Sequence, residues 1–320
     1  MGRDDEFFPP GDDGYECGLD EATKAVALAE LREDEATRSR AIGQLREWVL
    51  AHPAIRRCRT DSVFLLRFLR SKKFSVPLAQ EMLERYLTVR QLYPLWFRGL
   101  SADEPVVREI LLAGYLVPLP ERDDLGRRVV LRRAASIDPS RHTSAHVARV
   151  HALAMECLLE EEASQVRGFV QLNDESGLSA RHLSMWSLAD IARMTKCFQK
   201  SFPIRHKSSK FLCLPHYASK IMEFFISLLS EKMRSRIEIL PNMEDLRKVI
   251  NPKILPKEYG GEVPLDQMIN VFLARLEAGR DALRSLDDTD IDLDRRSPAA
   301  ADLEGELAGV AGSFRRLEVD

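Results

Sequence analysis

The sequence predicts an α/β body built on a largely parallel sheet, preceded by a small all-helical unit. Three observations carry this prediction. From residue 21 to about 92 the apolar residues recur at helical spacing. From about Pro105 short β-branched runs alternate with helical stretches, the pattern of parallel strands joined by crossover helices. No run approaches the roughly 18 apolar residues of a membrane-crossing helix.

Each element has its own signal. Thr60 or Asp61 can cap a helix that carries Phe64, Leu65, Phe68 and Leu69 on one side and ends near Lys72 and Lys73. Ser75 can cap the next, with Pro77 in a first turn where a missing N–H does no harm. Ala79, Met82, Leu83 and Tyr86 then fall at i, i+3, i+4 and i+7, one helical face. Gly126–Arg132 reads as a strand after an Asp-rich turn, and Gly168–Asn173 as a second. Lys210–Leu214 reads as a third. Between them, His142–Glu162 and Ser187–Phe198 read as helices. The domain reading follows: an acidic, disordered stretch at 1–20, a helical subdomain at 21–95, the α/β domain at 105–279, and a solvated acidic tail at 281–320.

Composition narrows the function classes. The chain has 320 residues, 45% of them hydrophobic, so a sizeable core is available. A net charge of -3 argues against a dedicated nucleic-acid binder, which would be basic overall. Local basic patches still act on such a chain, because screening confines their reach to about 10 Å. The five cysteines are scattered with no C-x-x-C spacing, which favours reduced core thiols and a cytoplasmic setting. The acidic start lacks the charge and apolar run of a secretory signal.

One segment points to function. Ser201–Lys207 and Lys232–Arg236 are basic, and between them lies a strongly apolar stretch, Tyr217 to Leu229. Tyr217, Ile221, Phe224, Phe225 and Leu228 form one stripe at helical spacing, and Met222, Ile226 and Leu229 a second. A helix apolar nearly all round is either buried on both sides or meets lipid. The plainer alternatives stay open: an ordinary core helix flanked by solvated surface charge.

The order of these elements resembles the CRAL-TRIO family of lipid-transfer proteins, over roughly Glu21 to Gly279. Four stretches carry the likeness: Asp61–Phe74, Leu112–Tyr115 leading into Asp124–Val129, Ser201–Pro203 before the basic pair, and the closing Leu255-Pro-Lys-Glu-Tyr-Gly-Gly261. The likeness is nearest to the tocopherol-transfer, retinaldehyde-binding and clavesin-like members. It implies a helical module on a lipid cage with a sheet floor, closed by a movable gate helix of Tyr217, Ile221, Met222, Phe224, Phe225, Leu228 and Leu229. It also implies a phosphoinositide site, of the phosphatidylinositol bisphosphate kind, at Arg205, Lys207, Lys232 and Arg236. Read from spacing, Arg205 and Lys207 sit in a loop, while Lys232 and Arg236, at i and i+4, share a helix face. The cage wall carried over by position is Ala148, His151, Met155, Phe169, Trp186, Met194, Cys197, Phe198 and Phe202. The implied partners are a hydrophobic small molecule and a phosphoinositide-bearing membrane, endosomal or another intracellular one, with no nucleic acid and no resident cofactor.

The chain departs from the tocopherol pattern. His151 and Met155 stand where two serines handle the chromanol hydroxyl, and Gln171-Leu-Asn-Asp174 is more polar than the usual aliphatic run. That weakens tocopherol against a retinoid or another isoprenoid. His151 either hydrogen-bonds a hydroxyl or aldehyde of the cargo or is satisfied by a backbone carbonyl. The rival to a carrier is a phosphoinositide-sensing adaptor, for which the acidic tail would serve as a docking arm. An enzyme is disfavoured: no G-x-G-x-x-G, P-loop, H-E-x-x-H or G-x-S-x-G occurs. His142 and His146 near Asp138 lack a third metal ligand, and Asp174 and Glu175, being adjacent, point apart.

Overall fold

Helices begin where a capping side chain precedes an apolar-periodic run. The computed structural model describes residues 14–302, so of the disorder expected at 1–20 and 281–320 the parts at 1–13 and 303–320 lie outside the described residues; at 14–20 the chain instead packs, with Leu19 buried and the Tyr15 hydroxyl donating to Glu162. Asp20 caps α1 (Glu21–Val26), which continues into a π-helical turn, Ala27–Leu31. Asp34 caps α2 (Glu35–Ala51), and a short strand, β1 (Ile55–Arg57), follows. Asp61 caps α3 (Ser62–Ser71), accepting from the Phe64 N–H at 3.0 Å. Ser75 and Pro77 open α4 (Val76–Leu92), and α5 (Pro94–Phe97) completes the unit. The apolar positions read from the sequence on α3 and α4 are all buried.

The body then runs α6 (Pro105–Leu112), β2 (Leu116–Arg122), β3 (Arg128–Arg133), α7 (Ser144–Leu159), α8 (Glu162–Arg167), β4 (Phe169–Asp174), α9 (Ala180–Ser184) and α10 (Leu188–Lys200). It continues with β5 (His206–Leu212), α11 (Ser219–Ser227), α12 (Glu231–Arg234), β6 (Ile237–Leu240), α13 (Met243–Val249) and α14 (Leu265–Ala278). The sheet order is β2-β3-β4-β5-β6, antiparallel between β2 and β3 and parallel elsewhere, as an α/β body requires. The helix expected at His142–Glu162 is α7, Ser144–Leu159, and a second helix, α8, follows from Glu162. β5 starts at His206, four residues before the expected Lys210. The edge strand β2 escaped the sequence because Pro118 and Pro120 interrupt it; an edge tolerates the missing N–H groups.

One face of the sheet is dry. Val129, Leu131, Val170, Leu172, Leu212 and Leu240 pack against Leu265, Met268 and Ile269 of α14. The closing Leu255–Gly261 motif sits in the same layer, with Leu255 and Tyr259 buried there. Its last glycine has a steric reason: a Cβ on Gly261 would lie 1.7 Å from the Leu255 carbonyl oxygen.

The helical unit is fused to the body by buried charge. Arg67, Arg70 and Arg90 are at most 1% exposed. Arg67 donates to Glu156 of α7 at 2.8 Å, Arg90 to the same carboxylate at 3.3 Å, and the Tyr86 hydroxyl at 2.6 Å. Arg70 grips Glu33 at 2.7 Å and reaches Glu162 and Gln165 of α8, each at 2.9 Å. Phe64, Phe68 and Tyr86 meet edge to face, and Phe202 of the body joins the same group edge to face with its ring 5.5 Å from Tyr86.

The acidic tail is not solvated over its described part. Residues 281–302, expected to be disordered, fold back on the helical unit through α15 (Arg280–Ser285) and β7 (Asp290–Ile291), which pairs antiparallel with β1. Asp287 accepts from the Gly99 N–H at 2.9 Å, Asp292 pairs with Arg56 at 2.8 Å, and Ser297 donates from its N–H to Glu84 at 2.7 Å. Asp287, Asp290 and Asp292 thus have partners far away in sequence, whereas Asp288 and Asp294 stay exposed. Burial also pushes the thiols of Cys58, Cys157 and Cys197 up to about 12, which keeps these core cysteines protonated.

Glu156 is the shared acceptor of this network. Replacing Glu156 by Ala leaves two buried guanidinium groups and a phenol without it, so urea denaturation should show a loss of about 3–5 kcal/mol. A loss under about 1 kcal/mol would mean that the network does not tie the helical unit to the body.

Candidate functional site

The second face of the sheet is only partly covered, and a cavity of about 740 Å³ opens over it. That volume falls within the range of roughly 300–1,000 Å³ usual for small-molecule sites. Strand alternation decides what faces it. Leu172 points into the dry layer, whereas Gln171 and Asn173 line the cavity, which accounts for the polar run noticed in the sequence. On β3, Leu131 points to the dry layer and Arg132 to the cavity.

The expected cage wall divides. His151, Met155, Trp186, Met194 and Phe198 line the cavity. Ala148, Phe169, Cys197 and Phe202 do not: each is at most 1% exposed and sits in the core behind the wall. Phe202 is drawn there by Tyr86 and Phe97, its ring 5.2 Å from that of Phe97. His151 has a partner the sequence did not point to. Its Nε2 lies 2.8 Å from the Tyr115 hydroxyl, and burial together with Arg132 holds its pKa well below the ordinary imidazole value.

The expected gate residues divide in the same way. α11 is nine residues long, follows a 3-10 turn at His216–Ala218, and turns Ile221, Met222 and Phe225 into the cavity, with Leu229 just beyond its end. Phe225 meets Phe211 of β5 edge to face at 6.2 Å. Tyr217, Phe224 and Leu228 lie off the cavity wall; Tyr217 is 56% exposed and its hydroxyl donates to the Leu178 carbonyl. Met222 is the one buried residue of α11, so this helix is lightly embedded in the wall.

Arg205, Lys207, Lys232 and Arg236 all line the same cavity. The route differs from the sequence reading. Lys207 belongs to β5 rather than to a loop, with Arg205 just before it. α12 stops at Arg234, so Lys232 and Arg236 share no helix face; the turn into β6 brings Arg236 round instead. Gly168 sets Arg205: its φ is +80, and a Cβ there would sit 2.4 Å from the Arg205 carbonyl, which accepts from the Phe169 N–H at 2.9 Å.

Two of the four cations are already held by a carboxylate, a feature the sequence did not reveal. Glu30, from the π-helical turn, accepts from Arg205 at 2.6 Å and from Lys207 at 2.7 Å. Burial tends to raise its carboxyl, but the bonds and charges of Lys207 and Arg205 outweigh burial and hold it below the ordinary value. Burial lowers Lys207. Arg236 donates to the His206 carbonyl, and Arg205 to that of Val166. His206, between the cations, is pushed down to about 4 by burial and by Arg236 and Arg132. Arg234 points away from the cluster, donating to the Leu229 carbonyl at 2.8 Å behind the gate.

Asp174 and the paired histidines each have local partners. Asp174 accepts from the Tyr259 hydroxyl while Glu175 turns into the cavity, so the adjacent carboxylates point apart. His142 accepts from the Asp138 N–H at 3.0 Å, and the His146 Nδ1 accepts from the N–H of the helix-capping Thr143 at 3.3 Å. Among the described residues, no group of three or more His, Cys, Asp or Glu is placed to hold a metal ion, and no helix is long and apolar enough to cross a membrane.

Known proteins match this arrangement. A family model described as CRAL/TRIO domain matches residues 112–261, and one described as Pinta-like, UBA domain matches residues 34–104. Clavesin-1 of Xenopus laevis is 33% identical over 249 residues, covering 78% of this chain and 75% of the relative. Clavesin-2 of Homo sapiens is 31% identical over 294 residues, 92% of this chain and 88% of the relative. A solved structure, "Crystal structure of Sfh5", aligns over 83% of this chain with a TM-score of 0.49 and 13% identity. The chain belongs to the CRAL/TRIO family.

The depressed His206 has a measurable consequence. As pH falls through about 6.5 the unfolded chain takes up a proton that the folded chain refuses until about 4. The stability contribution is therefore full above pH 6.5 and is lost between 6.5 and 4. Urea denaturation of wild type and His206→Gln at pH 7.5 and 5 should show wild type losing more stability on acidification. Parallel losses would contradict the burial of His206.

Proposed function

We propose that this CRAL/TRIO-family chain is a carrier of one small hydrophobic lipid, exchanging it at phosphoinositide-bearing membranes beneath a mobile α11. The observation that carries the reading is the juxtaposition of an apolar-walled cavity, a lightly embedded helix over it, and four cations on its rim. A polyphosphate headgroup suits Arg205, Lys207, Lys232 and Arg236 because each adds a charge-assisted hydrogen bond and arginine binds in bidentate fashion. Tyr217, which is exposed, and the half-buried Phe224 and Leu228 suit the headgroup boundary of a bilayer. The cargo class proposed is a retinoid, tocopherol or other isoprenoid, and the place of action is the cytoplasmic surface of endosomal or other intracellular membranes. No bond-breaking step is required.

Exchange is a population shift. The headgroup must bind the open form better than the closed one, and to reach Arg205 and Lys207 it must displace Glu30. Glu30 thus acts as an internal competitor that a polyphosphate outbids with more charge. The adaptor reading loses its docking arm over residues 281–302, which pack on the helical unit.

Two variants test this. Arg205→Ala with Lys207→Ala should weaken binding to phosphoinositide vesicles by up to about 30-fold, at roughly 1 kcal/mol per cation, and slow lipid transfer to them. Glu30→Gln should do the opposite, tightening vesicle binding by about fivefold. Unchanged transfer in the first variant would refute the site, and weaker binding in the second would refute the competition.

A further inference from the structure

The mouth cations flank the N-terminal ends of the parallel strands, with His206 opposite Phe169. Arg132 lies opposite Asn173, four residues along the same strand from Phe169, hence about 13 Å further in. Its half-buried side chain faces the cavity. Among the described residues its guanidinium makes no hydrogen bond or ion pair, and its buried Nε has no partner. Burial lowers its pKa, although arginine does not lose its proton in a protein.

An enclosed cation without a counter-ion is costly by several kcal/mol. The nearby acid, Glu175, forms no salt bridge with it, and burial raises that carboxyl. Tyr115 and His151 are occupied with each other at 2.8 Å, and the Asn173 amide donates to the Lys210 carbonyl at 3.2 Å. Among the described residues, Glu175 and Tyr115 attract Arg132 without a hydrogen bond or salt bridge to it, while the adjoining wall of Met155, Trp186 and Met194 is apolar. We propose that the missing counter-ion comes with the cargo: the cavity takes a single-chain amphipathic carboxylic acid, a fatty or isoprenoid acid, with its carboxylate on Arg132 and its chain along the apolar wall. A lone guanidinium matches a monoanion in bidentate fashion, whereas a polyphosphate needs the clustered cations at the mouth. This inference rests on the carrier reading and specifies its cargo.

The test uses the full chain and matched probes, oleic acid against oleyl alcohol and retinoic acid against retinol, with affinities read by native mass spectrometry and by thermal shift. In wild type each acid should bind at least tenfold more tightly than its alcohol. Arg132→Met should abolish that preference by weakening the acids at least tenfold, with the alcohols held within about threefold. Should that variant not fold, Arg132→Lys, which keeps the charge but loses the fork, should show an intermediate preference. An alcohol equal to its acid in wild type, or a preference unchanged by either substitution, would overturn the inference and leave the carrier standing. Binding of neither acids nor alcohols would instead overturn the carrier reading itself.

Discussion

A β-strand must present alternate residues to opposite faces, and most of this structure follows from what that rule does to β3, β4 and β5. On one face the chain places Val129, Leu131, Val170, Leu172 and Leu212, which α14 and the Leu255–Gly261 turn seal without gaps. On the other it places Arg132, Gln171, Asn173 and Ser209 beside apolar Phe211. No helix can lie flat on such a surface without stranding polar groups that water or a ligand must satisfy. The helices α7, α10 and α11 therefore arch over that face, and the space beneath them is the cavity.

Such an arch needs a stiff footing and a yielding side. The footing is the lattice of Arg67, Arg70 and Arg90 with Glu33, Glu156 and Glu162, which clamps α3 and α4 to α7 and α8. Removing any one partner would leave a buried charge, so the lattice holds as a unit. The yielding side is α11, short and half-exposed, whose displacement breaks few buried contacts. Low local stability of this kind is what a moving element requires. Glu30 ties the helical unit to this side of the cavity, since its turn holds Arg205 and Lys207.

Much of the fold was legible because its signals are local. Caps at Asp61 and Ser75, the periodicity of α3 and α4, and the strands β3 and β4 all lie within windows of a dozen residues. The polar pair Gln171 and Asn173 could be seen, as could the four cations. What stayed hidden depends on partners far along the chain. The acidic tail pairs with Arg56, Gly99 and Glu84, and Glu30 pairs with residues 175 and 177 positions away. Phe169 and Phe202 matched a cage wall by position, yet aromatic packing against the helical unit draws Phe202 into the core. Arg132 did leave a trace: in Val129-Val-Leu-Arg-Arg133, alternation puts Arg132 on the face of Val130.

The central claim is that the cavity under α11 exists to hold a lipid. Native mass spectrometry of the full chain, purified from a eukaryotic host and followed by organic extraction, addresses it directly. The account predicts one lipid of isoprenoid or fatty-chain type per chain, lost when the protein meets phosphoinositide vesicles. An empty cavity after exposure to a mixed lipid panel, with vesicle binding intact, would contradict it.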